Sequence, residues 1–343
     1  MKKILILQNT IMEYRKPVYN GLTKWYDVTV LHAGPESAGP NDRYHEIIVP
    51  RIQLGPFKLQ NEARIRQYIL SYDAVIAMFD LRWPSYLLPL LTCKQRPRFI
   101  LWGHRYSSNA LVNRCRDFLM KFADRLLMYG DEEVDRMAQR GIDREKIIIA
   151  WNTIHVPNHH DTSGNKKNGL LFIGRLQPSK KIYMLIDALA NLQGKVPEEI
   201  TVEIIGDGEE ELRLRNVAVQ RKIIDKVNFY GRIDDPKILC SHFKKALTHV
   251  SPGPIGLSAL HSMAYGVPVI ANVRERNGPE VHNLRHEHNA LLVESQIEME
   301  QAIEKLCNDR VYAERLGHNA YLHYVKNRSL ALMLDGFRIA IEE

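Results

Sequence analysis

Short apolar runs alternate with helix-period segments along almost the whole chain, and few folds accommodate that pattern. Ile4–Leu7, Val28–Leu31, Glu46–Val49, Ala74–Met78, Arg98–Leu101, Arg125–Met128 and Ile147–Ala150 read as buried strands. Pro17–Lys24, Glu62–Leu70, Pro84–Leu91, Asn109–Ala123 and Glu132–Arg140 read as the helices between them. Strands alternating with helices predict parallel sheets with crossover connections. His155–Asn168 breaks the pattern: it is polar, carries Pro157 and Gly164, and has no apolar period, as a linker would. The alternation resumes at Gly169 and runs to Leu292, and the tail from Ile297 is helical. At 343 residues the chain is long enough for two domains. The expectation is an α/β protein of two Rossmann-like, doubly wound domains at 1–154 and 169–322. A linker at 155–168 joins them, and a last segment at 323–343 follows.

The densest motif is SPGPIGLSALHSMAYGVPVI, Ser251–Ile270. Its glycine- and proline-rich turn opens into an apolar helical segment that ends at Gly266, and Pro268 begins another buried strand. The geometry predicted is strand, tight loop, helix. The N–H groups of Ile255–Leu257 and the helix dipole would then favour an anion at the loop formed by Gly253, Pro254, Ile255, Gly256, Leu257 and Ser258. A second motif, IGRLQPSKK, follows the strand candidate Gly169–Ile173, so Gly174, Arg175 and Lys180 lie at a strand's carboxyl end. Ligands of open α/β sheets bind at that edge. Arg175 supplies a planar fork and Lys180 a point charge, and the pair reads as one side of a diphosphate clamp. The G-x-x-x-x-G-K-[ST] phosphate loop is absent from the sequence. GDGEEE at Gly206–Glu211 reads as a structural strand-to-helix turn.

The ordered set GRLQPSK, IIGDGEE, VNFYGRI, PGPIGLSALHSMAYGVPVIA, GPEV and NALLV resembles the carboxyl-terminal domain of retaining, family 4-type glycosyltransferases of the GT-B fold. It covers roughly Gly169–Val293. The resemblance implies an active cleft between two Rossmann-like domains, and a last helix returning to the first domain. Ser329–Ile341 has the helical period for that helix, in Leu330, Leu332, Met333, Phe337 and Ile341. It implies a UDP- or GDP-sugar donor, no cofactor, and a nucleobase laid along Gly231, Arg232 and Ile233. In ILWGHRY, His104 falls on the histidine that faces the donor sugar. The family's two glutamates, eight positions apart, are replaced here by Gly253 and His261, as in a bacterial polysaccharide subgroup. A neutral imidazole donates and accepts, so His261 is expected on the ribose side, with Glu280 next in line. Glu13, Tyr14, Arg15 and Lys16, after the first strand, are the acceptor-side candidates; Asp80, Arg82 and Trp83 are weaker ones.

Charge and cysteine content narrow the partners. The net charge is +7. Residues 1–155 hold 23 Lys/Arg against 16 Asp/Glu, so the excess lies in the first domain and the remainder is neutral. That asymmetry suggests an anionic partner for the first domain: an anionic membrane leaflet, a lipid-diphosphate acceptor or an acidic polysaccharide. Aromatic residues do not interleave with the basic ones, which argues against nucleic acid. Four scattered cysteines without a C-x-x-C give no disulfide framework or zinc site, and His155, His159 and His160 have no carboxylate partner at ligand spacing, so no metal is expected. No apolar run reaches about 18 residues. The apolar part of MKKILILQNT is too short for a signal peptide. The expected location is the cytoplasm, peripheral on the inner face of the plasma membrane. The expected activity is transfer of a sugar to a glycan or lipid-linked acceptor in surface polysaccharide synthesis. A sugar-nucleotide epimerase or hydrolase, and a non-catalytic nucleotide-sugar-binding partner, remain open at this stage.

Overall fold

The apolar runs pair in parallel, buried on both faces. The structure is a computed structural model describing residues 1–93, 95–103, 106–157, 159–162 and 167–343. Its chain divides into two units, Met1–His155 with Leu330–Glu343, and Val156–Ser329. The first runs β1 (Lys3–Leu7), α1 (Lys16–Leu22), β2 (Asp27–His32), β3 (His45–Ile48), β4 (Ile52–Leu54), β5 (Phe57–Leu59), α2 (Glu62–Ile69), β6 (Ala74–Met78), α3 (Pro84–Thr92), β7 (Arg98–Trp102), α4 (Ala110–Phe122), β8 (Arg125–Met128), α5 (Val134–Gln139) and β9 (Ile147–Ile149). Its main sheet has the order β3-β2-β1-β6-β7-β8-β9, parallel throughout. The strand period of two divides the core. Leu5 and Leu7 join Val75 and Phe99 on one face, and Ile4 and Ile6 join Ile76 and Ile100 on the other.

The second unit runs β10 (Gly169–Ile173), α6 (Tyr183–Asn191), β11 (Thr201–Ile205), α7 (Glu211–Gln220), β12 (Val227–Phe229), α8 (Pro236–Lys245), β13 (Ala246–Ser251), α9 (Ser258–Ala264), β14 (Val269–Asn272), β15 (Ala290–Val293), α10 (Gln296–Asn308) and α11 (Arg310–Asn327). Its sheet is β12-β11-β10-β13-β14-β15, again parallel. The chain winds outward from β10 to β11 and β12, then returns to lay β13 on β10's other side. The topological switch point therefore lies between β10 and β13.

Three local features depart from the pattern-based expectation. The antiparallel hairpin β4–β5 was not anticipated; it pairs outside the main sheet. The polar stretch after His155 is not a free tether. Thr162 donates twice to the Tyr265 carbonyl, Asp161 pairs with His318 at 2.7 Å, and the His159 ring packs on Tyr321 and Tyr324, all within the second unit. At the other end, residues up to Ser329 stay with the second unit, and only α12 (Leu330–Glu342) packs with the first.

α12 packs on α1, β7, β8 and β9. Gly336 lets its backbone approach Ala150 closely, since a Cβ there would lie 2.7 Å from the Ala150 Cα. Phe337, fully buried, meets Trp102 edge-on at 4.9 Å. Phe337→Ala is expected to cost the first unit about 3–5 kcal/mol, as truncation of a buried aromatic does. Denaturant unfolding checks it; an unchanged midpoint for the first unit would refute the seating of α12.

Candidate functional site

The loops at the carboxyl ends of β10, β11 and β12 are stitched together through backbone. Gly174 N–H donates to the Ile205 carbonyl at 3.0 Å, and Gly206 N–H to the Gly231 carbonyl at 2.8 Å. Gly206 has φ +137°, and any Cβ there would overlap the Gly174 carbonyl. Glycine is required at this corner for both reasons. The Gly206 turn is structural in this sense, and it fixes the loop that carries Arg175 and Lys180.

The loop after β13 closes the other side of the switch point. Gly253 sits directly on the short 3-10 turn Pro178–Lys180: a Cβ would lie 2.7 Å from the Lys180 Cα. The Lys180 ammonium donates to the Pro254 carbonyl at 2.5 Å, clamping the two loops together. Burial lowers its pKa, and the nearby Glu280 carboxylate opposes that shift. Glu280 is itself buried, in the 3-10 turn Pro279–Asn283. Arg175 is exposed on the same loop and has no ion pair among the described residues. Lys181 pairs with Glu275 at 2.5 Å across the same edge.

The predicted backbone donors are only partly available. The Ile255 N–H is already taken, donating to the buried Asn277 Oδ1 at 2.8 Å, and Asn277 is anchored in turn on the Asn272 carbonyl. Ile255 therefore leaves the donor set expected from sequence. Asn277, lying 22 positions away, gave no signal by which sequence reasoning could have found this contact. The N–H groups of Gly256 and Leu257 have no acceptor among the described residues, and the Gly256 Cα faces open space. Ser258 opens α9, and its carbonyl accepts from Ser262 Oγ at 2.9 Å.

His261 lies one turn into α9, with its ring 4.7 Å from Phe243 and 5.9 Å from Tyr265. One edge stays partly exposed. Burial pushes its pKa down to about 4. Behind it, His249 on β13 is fully buried. Ser262 Oγ gives its proton to the Ser258 carbonyl, so at 2.8 Å His249 Nδ1 must be the donor to Ser262 Oγ. His249 is held down to about 3, by burial first and then by His261 and Lys180. Sequence reasoning passed over His249, because a histidine within an apolar strand looks like filler. On the β12 side, exposed Arg232 folds onto Asp234 at 2.9 Å beside Gly231 and Ile233.

The remaining candidates lie elsewhere. Arg15 is buried in the first unit, its guanidinium 4.9 Å from the Trp102 ring and 5.2 Å from Tyr129, and serves packing there. Lys16 pairs with Glu13 at 2.8 Å, and Tyr14 is exposed. Asp80 and Arg82 pair with each other at 2.6 Å, and Trp83 is buried. His104 lies outside the described residues.

This geometry can be set beside known proteins. Residues 158–323 match the family described as glycosyl transferases group 1. The Anabaena HepE protein in complex with UDP superposes with a TM-score of 0.77 over 99% of both chains, at 18% identity. The fold is GT-B. Among curated proteins, the chain is 26% identical over 207 residues to the GalNAc-alpha-(1->4)-GalNAc-alpha-(1->3)-diNAcBac-PP-undecaprenol alpha-1,4-N-acetyl-D-galactosaminyltransferase of Campylobacter jejuni, covering 58% of this chain and 55% of that one. It is 27% identical over 170 residues to a lipopolysaccharide core biosynthesis glycosyltransferase of Rhizobium meliloti, covering 49% and 48% respectively. The chain thus spans about half the length of these curated relatives.

Two expectations follow. Gly253→Glu is expected to displace the Pro178–Lys180 turn and lower the stability of the second unit, since any Cβ there meets the Lys180 backbone. Denaturant unfolding with a wild-type midpoint would refute the contact. The two histidines also set a pH dependence. Their folded pKa values lie below the ordinary 6.5, so the stability they allow is complete above about that pH. It is lost as pH falls toward about 4, because the unfolded chain then binds protons that the folded chain refuses. His261→Gln should make the acid loss shallower in denaturant titrations from neutral to weakly acidic pH; an identical slope would refute this.

Proposed function

We propose that the chain is a nucleotide-sugar-dependent hexosyltransferase, acting on a glycan or lipid-linked acceptor in bacterial surface polysaccharide synthesis. The observation that carries this reading is a coincidence of place. The stretch that matches the glycosyltransferase family builds the sheet edge whose loops carry Arg175, Lys180 and the Gly256–Leu257 amides, with Lys180 joined to Pro254. The relatives named for undecaprenol-diphosphate-linked and lipopolysaccharide substrates support the acceptor class, and a structural neighbour holding UDP supports the donor class.

On this reading the donor diphosphate lies over Gly174 and Gly256, the nucleobase along Gly231–Ile233, and the ribose toward His261 and Glu280. The bond between the anomeric carbon and the diphosphate oxygen breaks, and its electron pair leaves with the phosphate. The acceptor hydroxyl attacks from the same face, its proton passing to the departing phosphate oxygen, so configuration is retained. Lys180 and Arg175 stabilise the charge that grows on the leaving group. Two side-chain cations and free amides suffice for that charge, so neither metal nor cofactor is assigned a role. His104 would position the sugar, and exposed Tyr14 is placed on the acceptor side. The proposed location is the cytoplasm, peripheral to the membrane; among the described residues no helix is long and apolar enough to cross one.

Arg175→Ala and Lys180→Ala are each expected to weaken UDP or GDP binding by about 1.5–3 kcal/mol, as loss of a charge-assisted hydrogen bond does. Turnover, measured in excess EDTA, should persist in wild type and fall further than binding in the variants. Unchanged affinity in both folded variants, or activity abolished by chelation and restored by a divalent ion, would overturn the reading.

A further inference from the structure

The first unit carries an outward apolar face that its own fold does not use. The hairpin β4–β5 is amphipathic in the inverted sense. Its register pairs Ile52 with Leu59 and Leu54 with Phe57 on one side, and Gln53 with Lys58 on the other. On the other side, part-buried Lys58 and exposed Arg51 reach the ring of buried Trp83, at 5.5 and 5.6 Å. The apolar side is left to solvent, with Ile52 75%, Leu54 64% and Phe57 47% exposed. An isolated hairpin gains its stability by covering its apolar face, and this one presents that face to solvent.

The face continues across neighbouring elements. β5 packs on α3, and α3 packs on α4. α3 exposes Leu88 and Leu91. α4 exposes Leu111, Phe118 and Phe122 on one stripe, the two phenylalanine rings 4.9 Å apart, with exposed Arg114 and Lys121 between them. In sequence, residues 81–123 hold eight Lys/Arg and one Asp/Glu; of these, Arg114 and Lys121 are exposed on α4 beside the phenylalanines. Arg82 and Arg96 are paired with Asp80 and Asp124, and Asp117 with Arg140, whereas Arg114 and Lys121 have no ion pair among the described residues. Aromatic and aliphatic groups flanked by lysine and arginine match an anionic bilayer surface: apolar groups enter the headgroup boundary while cations meet lipid phosphates.

Resting on the lipid-linked reading above, we infer that the hairpin β4–β5, α3 and the outward stripe of α4 dock the first unit onto an anionic lipid membrane. The test is sedimentation of the full chain with vesicles of mixed phosphatidylglycerol and phosphatidylcholine, against vesicles of phosphatidylcholine alone, at low and high salt. Wild type should partition onto the anionic vesicles and be released by salt. Leu54→Ser with Phe57→Ser, and separately Phe118→Ser with Phe122→Ser, should each lower partitioning at least about ten-fold, and Arg114→Gln with Lys121→Gln should do so while flattening the salt dependence. A polarity-sensitive fluorophore on exposed Cys115, in a Cys240→Ser background, should shift to the blue on binding. UDP affinity without vesicles is read in parallel: the variants should keep it, and its absence in wild type would strike the donor-site reading instead. Equal partitioning of wild type and variants, or none by wild type at low salt, overturns the inference. So does a wild-type dimer that the Phe118/Phe122 variant dissolves without vesicle binding, which would assign the face to a second copy of the chain.

Discussion

A lysine ammonium held on a backbone carbonyl joins the two loops on which the ligand edge of the second unit depends. Lys180 and Pro254 are 74 positions apart in sequence, yet their 2.5 Å bond fixes the loops after β10 and β13 at the switch point. The contact is possible because Gly253 has no side chain: backbone rests on backbone where any Cβ would collide. A half-buried ammonium facing a neutral carbonyl is poorly compensated, and burial lowers its pKa. Glu280 offsets part of it. On the proposed reading, an arriving diphosphate would supply the rest, so the same under-compensation that burdens the free protein would favour the bound one.

The alternation of β and α elements was legible because buried parallel strands must be apolar throughout and their crossover helices must be amphipathic. The glycine loops were legible for a related reason, since tight strand ends restrict residue choice. What the sequence concealed were contacts between remote groups that look ordinary alone. Arg15 reads as an acceptor-side candidate after the first strand, yet it is buried against the rings of Trp102 and Tyr129. The polar run after His155 reads as a linker, yet among its described residues Thr162 bonds to the Tyr265 carbonyl and Asp161 pairs with His318, both within the second unit. The hairpin β4–β5 escaped notice because its strands are three residues each and its apolar residues face away from any core. The loss of the Ile255 donor to Asn277 could not be read without the fold.

The two units use their cations differently. In the second unit the important ones are fixed by geometry: Lys180 by a carbonyl, Lys181 by Glu275, Arg232 by Asp234. Such groups suit recognition of a small anion with defined oxygens, where a misplaced donor loses most of its value. In the first unit, Arg114 and Lys121 stand exposed beside apolar side chains on a helix surface. Long flexible cations of that kind suit a partner whose charges are laterally mobile, because no single geometry has to be met.

The surroundings of residue 261 suit a neutral side chain rather than a carboxylate. The ring packs beside the stacked pair Phe243 and Tyr265, both buried, and the buried His249 has its Nδ1 committed to Ser262. An ionised carboxylate placed among those rings would lose hydration without gaining a cation. A neutral imidazole packs on the aromatic rings, and the residue remains partly exposed. With its pKa near 4 it stays neutral at neutral pH, so any contact it makes with a hydroxyl is a neutral hydrogen bond. Gly253 and His261 then form a consistent pair. One lets backbone close on Lys180, and the other fills an aromatic site that could not solvate a carboxylate.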